Sequence, residues 1–239
     1  MSAAGNDDAN VYSADADLVD AVSVDSDTMD KAVDVSDEHA AAHSLVVGIA
    51  GGSASGKTTL TKALLDYLSV RDPSLRVEAL GMDKYFYRNA PGGPRFVSPS
   101  TGEELPDNNH PDSADNARLA AELDTRIRGA DAPDVLIVEG LMALRVPEIR
   151  ERLDVRVFVE LDADLRALRR LLRDMNGERG TTDPHWIATY YRECARVGHH
   201  TYVEPSRVYA DLIVRGDADF TRITPLMAGA LYGAIAARK

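Results

Sequence analysis

One segment of the sequence has the residue types and spacing of a phosphate-binding loop. It follows the pattern G-x-x-x-x-G-K-[ST] and, with one further residue, consists of Gly51, Gly52, Ser53, Ala54, Ser55, Gly56, Lys57, Thr58 and Thr59. In such a loop the main-chain N–H groups surround phosphate oxygens, and the lysine reaches the β and γ phosphates of a nucleotide. We therefore expect Lys57 to contact the β and γ phosphates of a nucleoside triphosphate. Thr58 is a candidate ligand of Mg²⁺, which prefers oxygen donors.

Two acidic residues stand at the ends of predicted strands. Asp83 follows the apolar segment 75–82, and Glu139 lies near the end of the apolar segment 132–140. Because ligands bind beyond the carboxyl ends of parallel strands, both acids are predicted to lie near the loop. One of them could hold Mg²⁺ while the other accepts the proton of an attacking hydroxyl group. The alternative is a helix cap at Asp83 and a surface acid at Glu139.

A predicted helix over 163–175 carries a row of basic residues. Arg166, Arg169, Arg170 and Arg173 recur at helical spacing, and we expect the leucines of the same helix to face inward. A lid of arginines, predicted around 166–182, would stabilise the charge on a phosphoryl group in transfer. The alternative is a solvated basic face that pairs with nearby acidic residues.

The order of elements predicts the fold class. Apolar segments typical of strands alternate with helical periodicity. Strands are predicted at 44–50, 75–82, 132–140, 155–160 and 211–214, and helices at 58–70, 116–128, 163–175, 184–202 and 225–239. This alternation indicates an α/β fold with a doubly wound, parallel, five-stranded sheet between two helical layers. With the loop at its first strand, it is the fold of a P-loop NTPase.

Composition divides the chain into two parts. Residues 1–43 contain eleven acidic residues and one basic residue, so most of the formal net charge of −12 lies there. We expect this stretch to be a disordered acidic tail, with a regulatory or partner-binding tail as the alternative, and 44–239 to be the folded domain.

Composition also narrows the partners and the location. The near-neutral charge of the domain argues against nucleic acid as a partner, and no apolar stretch is long enough to span a membrane. A single cysteine, Cys194, allows no intramolecular disulfide and is expected to be a packing residue. We expect a cytoplasmic protein. Formation of a homo-oligomer is left open.

Several motifs occur in the order found in one enzyme family. Besides the loop they are Asp83–Tyr87, His110–Asp115, Val138–Gly140, Arg169–Asp174 and Tyr209–Asp211. Over about residues 45–215 the chain resembles uridine kinases and the wider uridine kinase/phosphoribulokinase group. The resemblance implies phosphorylation of the 5′-hydroxyl of a pyrimidine nucleoside by ATP or GTP. It implies that Asp83 is the base, that Thr58 and Glu139 hold Mg²⁺, and that Arg169, Arg173 and Arg179 belong to the lid.

The chain departs from the family pattern around the acceptor. Uridine kinases usually carry a hairpin whose tyrosine and histidine read the base, but the corresponding interval 116–133 contains neither residue type. Asn109 replaces an aspartate that holds the ribose hydroxyls, and Thr181 stands where another arginine is usual. A kinase of sugar phosphates or other small alcohols, similar to phosphoribulokinase or pantothenate kinase, therefore stays an alternative. A nonenzymatic nucleotide-binding regulatory protein is the alternative from another class.

The long segment 88–109 is the predicted replacement for the missing hairpin. Loops of this length are usually functional or disordered, and its position after Asp83 favours a role in covering the acceptor. An ordinary flexible insertion is the alternative. The candidate acceptor-binding residues are Asp83, Tyr85, Tyr87, Arg95, Phe96, Asn109 and His110.

Overall fold

The protein is represented by a computed structural model, which describes residues 43–88, 92–177 and 180–238. The elements in that part of the chain are β1 (Leu45–Gly51), α1 (Lys57–Arg71), β2 (Val77–Gly81), β3 (Arg95–Val97), β4 (Glu104–Pro106), α2 (Asn116–Arg128), β5 (Val135–Glu139), α3 (Pro147–Arg150), β6 (Val155–Glu160), α4 (Ala163–Met175), α5 (Pro184–Tyr190), α6 (Arg196–Gly198), β7 (Leu212–Arg215) and α7 (Phe220–Ala236). The predicted tail, apart from His43, lies outside the described residues and stays a prediction.

Five parallel strands form the central sheet in the order β2-β5-β1-β6-β7. The central strand is β1, where Val47 pairs with Ile137 of β5 on one side and Val155 of β6 on the other. All seven residues of β1 are buried, as expected for a parallel strand covered on both faces. The predicted α/β fold with a five-stranded parallel sheet is confirmed.

Helices cover both faces of this sheet and create two apolar cores. Since successive side chains of a strand point to opposite faces, Val46 and Ala50 of β1 join the core that includes α2. Val47 and Ile49 join the other core, which includes α1 and α7. The layers are therefore helix, sheet and helix. No helix in the three described ranges has the length and apolar character needed to cross a membrane.

The predicted helices at 184–202 and 225–239 differ from those observed. After α5, the segments Tyr191–Ala195 and His199–Val203 are π-helical, with α6 between them. The last helix begins at Phe220, not at Pro225, because the Asp219 side chain caps it by accepting a hydrogen bond from the Thr221 N–H at 2.9 Å. Proline is typical of a first helical turn, which explains the late predicted start.

The predicted loop over 88–109 contains a small hairpin. Strands β3 and β4 pair antiparallel, with Phe96 opposite Leu105. Each strand has only three residues, which is too short for a period of two to be recognised in the sequence. The hairpin brings the segment 106–109 against α5, as described below.

Candidate active site

The phosphate-binding motif lies between the end of β1 and the start of α1. Gly51 and Gly56 have φ angles of 143° and 106°, a left-handed region that favours glycine. A Cβ atom on Gly51 would also lie 2.4 Å from the carbonyl oxygen of Val159. The loop therefore needs both glycines to turn from the strand into the helix.

Lys57 is the first residue of α1 and is only 8% exposed. Its Nζ donates a hydrogen bond to the Gly52 carbonyl oxygen at 2.9 Å. Burial lowers the pKa of Lys57 to about 8, while the charges of Glu139 and Asp83 act in the opposite direction. A buried ammonium group thus lies inside the loop with two carboxylates nearby.

Thr58 and Glu139 are in direct contact. The Thr58 hydroxyl donates to the Glu139 carboxylate, with Oγ1 3.1 and 3.0 Å from its two oxygens. Glu139 ends β5, next to β1 in the sheet, so the strand order produces this contact. Both side chains offer the hard oxygen donors that Mg²⁺ prefers.

Thr58 and Glu139 offer oxygen donors that could hold Mg²⁺. No cluster of three or more histidine, cysteine or acidic side chains with metal-binding geometry occurs among the residues that the structure describes. Magnesium in nucleotide sites usually takes one or two protein ligands and completes its shell with water and phosphate oxygens. Thr58 and Glu139 therefore fit this ion.

Two cavities meet at Asp83. One, of about 640 Å³, includes Lys57, Thr58 and Glu139 in its lining, and we call it the donor cavity. The other, of about 600 Å³, lies toward α5, and we call it the acceptor cavity. Four residues line both cavities: Ser53, Asp83, Leu141 and Arg173. Asp83 reaches this junction from a 3₁₀ turn, Met82–Tyr85, which directly follows β2.

The arginines of α4 face the phosphate-binding loop. Arg166 is 3% exposed, and a Cβ atom on Gly52 would lie 2.7 Å from its Nη1. Arg169 donates to the Gly216 carbonyl oxygen at 2.9 Å, and Arg170 to the Ser53 hydroxyl at 3.3 Å. Burial lowers the pKa of both Arg166 and Arg170.

The prediction that the leucines of this helix face inward is wrong for Leu168 and Leu172, while Leu165 and Leu171 are partly buried. Leu168 and Leu172 are 58% and 65% exposed. The side of α4 that faces the domain meets polar groups, namely the carbonyl oxygens of Leu161 and Gly216 and the hydroxyl of Ser53. Guanidinium groups can hydrogen-bond to these oxygens and leucines cannot. Helical spacing revealed the two faces, but it could not show which one was inward.

A buried carboxylate organises two of these arginines. Asp174 is 3% exposed and pairs with Arg173 at 2.7 Å and with Arg170 at 3.3 Å. The pairing holds Arg173 where both cavities meet. Of the rest of the predicted lid, Arg179 lies outside the described residues, and Thr181 lines the acceptor cavity.

Among the predicted acceptor-binding residues, Asp83 and Asn109 line the acceptor cavity. Asn109 is buried, and its amide donates to the Cys194 sulfur at 3.2 Å. Cys194 in turn donates to the Asp107 carboxylate at 3.1 Å, and burial raises the pKa of this thiol to about 12. Cys194 therefore acts as a packing residue that fixes the turn at 107–109.

The remaining predicted residues, Tyr85, Tyr87, Arg95, Phe96 and His110, are not on that lining. The hydroxyl of Tyr85 donates to Glu122 on α2 at 2.5 Å, and burial raises its pKa to about 12. Tyr87 is partly exposed.

The other three residues contact protein groups as well. Arg95 pairs with Glu104 across the hairpin, and Phe96 packs against Tyr190. His110 packs edge-on against Tyr202.

Residues that the sequence did not name individually complete the acceptor cavity. They are Phe86, Arg88, Pro106, Asn108, Trp186 and Tyr190. Arg88, Pro106 and Asn108 lie in the segment 88–109, which was predicted to cover the acceptor. For α5, the single tryptophan of the chain was the available signal. The segments that carry these residues are far apart in the sequence, so their convergence depends on the tertiary fold.

Comparison with known proteins places this site in a family. The sequence profile described as "Phosphoribulokinase / Uridine kinase family" matches residues 114–219. The chain is 35% identical to a uridine kinase of Deinococcus deserti over 190 residues, which cover 71% of this chain and 86% of that protein. It is also 35% identical to a uridine kinase of Staphylococcus epidermidis over 192 residues, with the same coverage of both chains.

A solved structure supports the fold. The crystal structure of a protein provisionally named a fructose transport system kinase, from Silicibacter sp. TM1040, superposes with a TM-score of 0.53 at 22% identity. The match covers 72% of this chain and 89% of that protein. Together with the sequence identities, these findings show that the chain is an enzyme of the phosphoribulokinase/uridine kinase family, which transfers a phosphate group to an alcohol.

Proposed function

We propose that the protein transfers the γ-phosphate of ATP, or of GTP, to the 5′-hydroxyl group of a pyrimidine nucleoside. The observation that carries this proposal is the junction of the two cavities, where Asp83 and Arg173 line both. A nucleotide in the donor cavity and an alcohol in the acceptor cavity would meet at these two side chains. The uridine kinases among the relatives support the choice of nucleoside.

The donor cavity would hold the triphosphate through its main chain and one ammonium group. The N–H groups of the loop would surround the phosphates, and Lys57 would exchange its bond to Gly52 for the β and γ phosphates. Thr58 and Glu139 would hold Mg²⁺, which neutralises phosphate charge when bound. These contacts would place the γ-phosphate near Asp83, which lines the same cavity.

Asp83 would act as the general base. As the 5′-oxygen bonds to the γ-phosphorus, its proton passes to the Asp83 carboxylate, and the bond to the β-phosphate oxygen breaks to release ADP. Arg169 and Arg173 line the donor cavity and would stabilise the charge on the transferring group. We assign Arg179 the same role from the sequence motif alone.

One observation favours a second candidate acceptor, a sugar phosphate or other small alcohol. Helix α2 ends at Arg128 and β5 begins at Val135, so this interval holds no base-reading hairpin. The family assignment argues against a nonenzymatic regulatory role, and so do Lys57, Thr58, Glu139 and Asp83, which line one cavity. A cytoplasmic location suits an enzyme that uses the nucleotide pool of the cell.

An acceptor panel tests the proposal. ADP release would be measured with uridine, cytidine, ribose 5-phosphate, ribulose 5-phosphate and pantothenate, with Asp83→Asn as the inactive control. We expect turnover with the two nucleosides. Turnover of only a sugar phosphate or pantothenate would move the enzyme to another branch of its family, and nucleotide binding without any turnover would favour the regulatory role.

A further inference from the structure

The acceptor cavity has an aromatic wall that the transfer reaction itself does not use. Trp186 and Tyr190, one turn apart on α5, stack with their ring centroids 5.0 Å apart and their planes at 14°. Phe96 of the hairpin meets the Tyr190 ring edge-on, with centroids 5.7 Å apart. These contacts follow the arrangements that aromatic pairs prefer.

Contacts on several sides hold Tyr190 in place within this wall. Its hydroxyl donates to the Pro106 carbonyl oxygen at 2.9 Å and accepts from the Asn108 N–H at 3.3 Å. The Arg170 guanidinium lies 5.4 Å from the centroid of its ring. Tyr190 therefore ties α5 to the hairpin and to the arginine helix, so the ring that supports Trp186 is fixed from three sides.

Trp186 offers the cavity a flat apolar surface. One face of the indole is covered by Tyr190, yet the residue remains 41% exposed and lines the same cavity as Asp83. An exposed indole on a fixed support loses little entropy when a planar ring stacks on it. A sugar phosphate or an acyclic alcohol has no such ring.

We propose that Trp186 stacks against the planar base of a nucleoside whose 5′-hydroxyl group faces Asp83. This inference rests on the proposed function and names the group that recognises the base. Every nucleobase has a π-face, so stacking tolerates different bases. The wall thus provides affinity for a nucleoside without the polar side chains of a base-reading hairpin, and uridine and cytidine should bind about equally well.

Fluorescence provides a direct test, since Trp186 is the only tryptophan in the chain. Uridine would be titrated into the full-length protein, with excitation at the red edge of the indole band to limit absorption by the base. Saturable quenching by uridine and cytidine, and none by ribose, is the expected result. The same signal with ribose, or no change at saturating uridine, would overturn the stacking role.

Kinetics of two variants at this position provide the second test. Trp186→Leu should raise the KM for uridine about tenfold and leave the KM for ATP unchanged, whereas Trp186→Phe should stay near the wild type. The exposed Leu226 on α7 lies outside both cavities, and Leu226→Ala is the surface control. An unchanged uridine KM in Trp186→Leu would refute the inference.

The two tests separate this inference from the proposed function. Turnover of uridine without quenching or a KM effect would leave the reaction standing and remove the role of Trp186. Quenching by uridine without turnover of any nucleoside would support the stacking role of Trp186 and contradict the proposed function. If uridine causes no quenching and is not phosphorylated while a sugar phosphate is, both the proposed function and the stacking role of Trp186 are contradicted.

Discussion

The donor and acceptor cavities of this enzyme are built in different ways. The lining of the donor cavity takes its largest part from one stretch, residues 53–59, which includes the phosphate-binding loop and the start of α1, and the rest from shorter stretches elsewhere. The acceptor cavity is formed by side chains from the turn after β2, the end of the hairpin, α4 and α5. A binding loop formed by the main chain requires particular residues at a fixed spacing in the sequence. A pocket formed by side chains from distant segments has no such fixed spacing. The first kind of site can therefore be recognised in a sequence more readily than the second.

The largest expected effect comes from the donor cavity. Lys57→Ala should lower turnover by about 10³, because the loop retains its main chain but loses the charge directed at the β and γ phosphates. Steady-state kinetics with a melting curve would measure this loss in a folded protein. Arg71→Ala, at the exposed end of the same helix, is the control. Activity retained by Lys57→Ala would contradict the assigned role of the phosphate-binding loop in the transfer.

The junction of the two cavities should show the next largest effect. Asp83→Asn should lower turnover by about 10² or more while nucleotide affinity persists, since the amide keeps the shape and loses the basicity. Single-turnover kinetics and ADP titration would separate chemistry from binding. Lost affinity with residual chemistry would make Asp83 chiefly a metal ligand, and unchanged turnover would argue against both roles.

The sequence predicted the sheet and the phosphate-binding loop because both depend on local patterns. Apolar strands such as Val155–Glu160 are continuous in the sequence, and the loop needs glycine where φ is positive. The inward face of α4 was predicted incorrectly because it meets polar groups from distant segments, such as the Gly216 carbonyl oxygen and the Ser53 hydroxyl. Trp186 was not predicted at all, since its place on the same cavity as Asp83 depends on the packing of α5 against the hairpin.

The pH dependence of nucleotide binding should be the third effect in size. Because burial lowers the pKa of Lys57 to about 8, the free enzyme loses this positive charge as the pH rises through that value. Affinity for ADP should therefore be constant below about pH 7 and fall about tenfold by pH 9. Calorimetric titration measures this, with Lys57→Ala as a variant that binds weakly at every pH. A flat profile in the wild type would contradict a low Lys57 pKa.

The acceptor cavity should show weak discrimination between bases. Uridine and cytidine should differ by only a few-fold in kcat/KM, because a stacking wall contacts the face of the base and not its polar edge. Competition between the two nucleosides in one reaction measures the ratio directly. A strong preference for uridine would reveal a polar base reader that the described residues do not explain.

The smallest effect is expected from the acidic tail. Removal of residues 1–43 should leave turnover and melting temperature nearly unchanged, because the segment is strongly acidic and its apolar residues are mostly small alanines and valines. Kinetics and calorimetry of the truncated and full-length proteins make the comparison. A drop of more than a few degrees would instead indicate that the tail docks on the domain.

The central claim is that phosphate passes from the donor cavity to an alcohol in the acceptor cavity. Phosphorus NMR of a reaction with ATP, Mg²⁺ and uridine tests it most directly, since it identifies the product. We predict a new phosphomonoester resonance that matches uridine 5′-monophosphate and grows in step with ADP. Inorganic phosphate as the only product besides ADP, with no phosphate ester, would contradict the account.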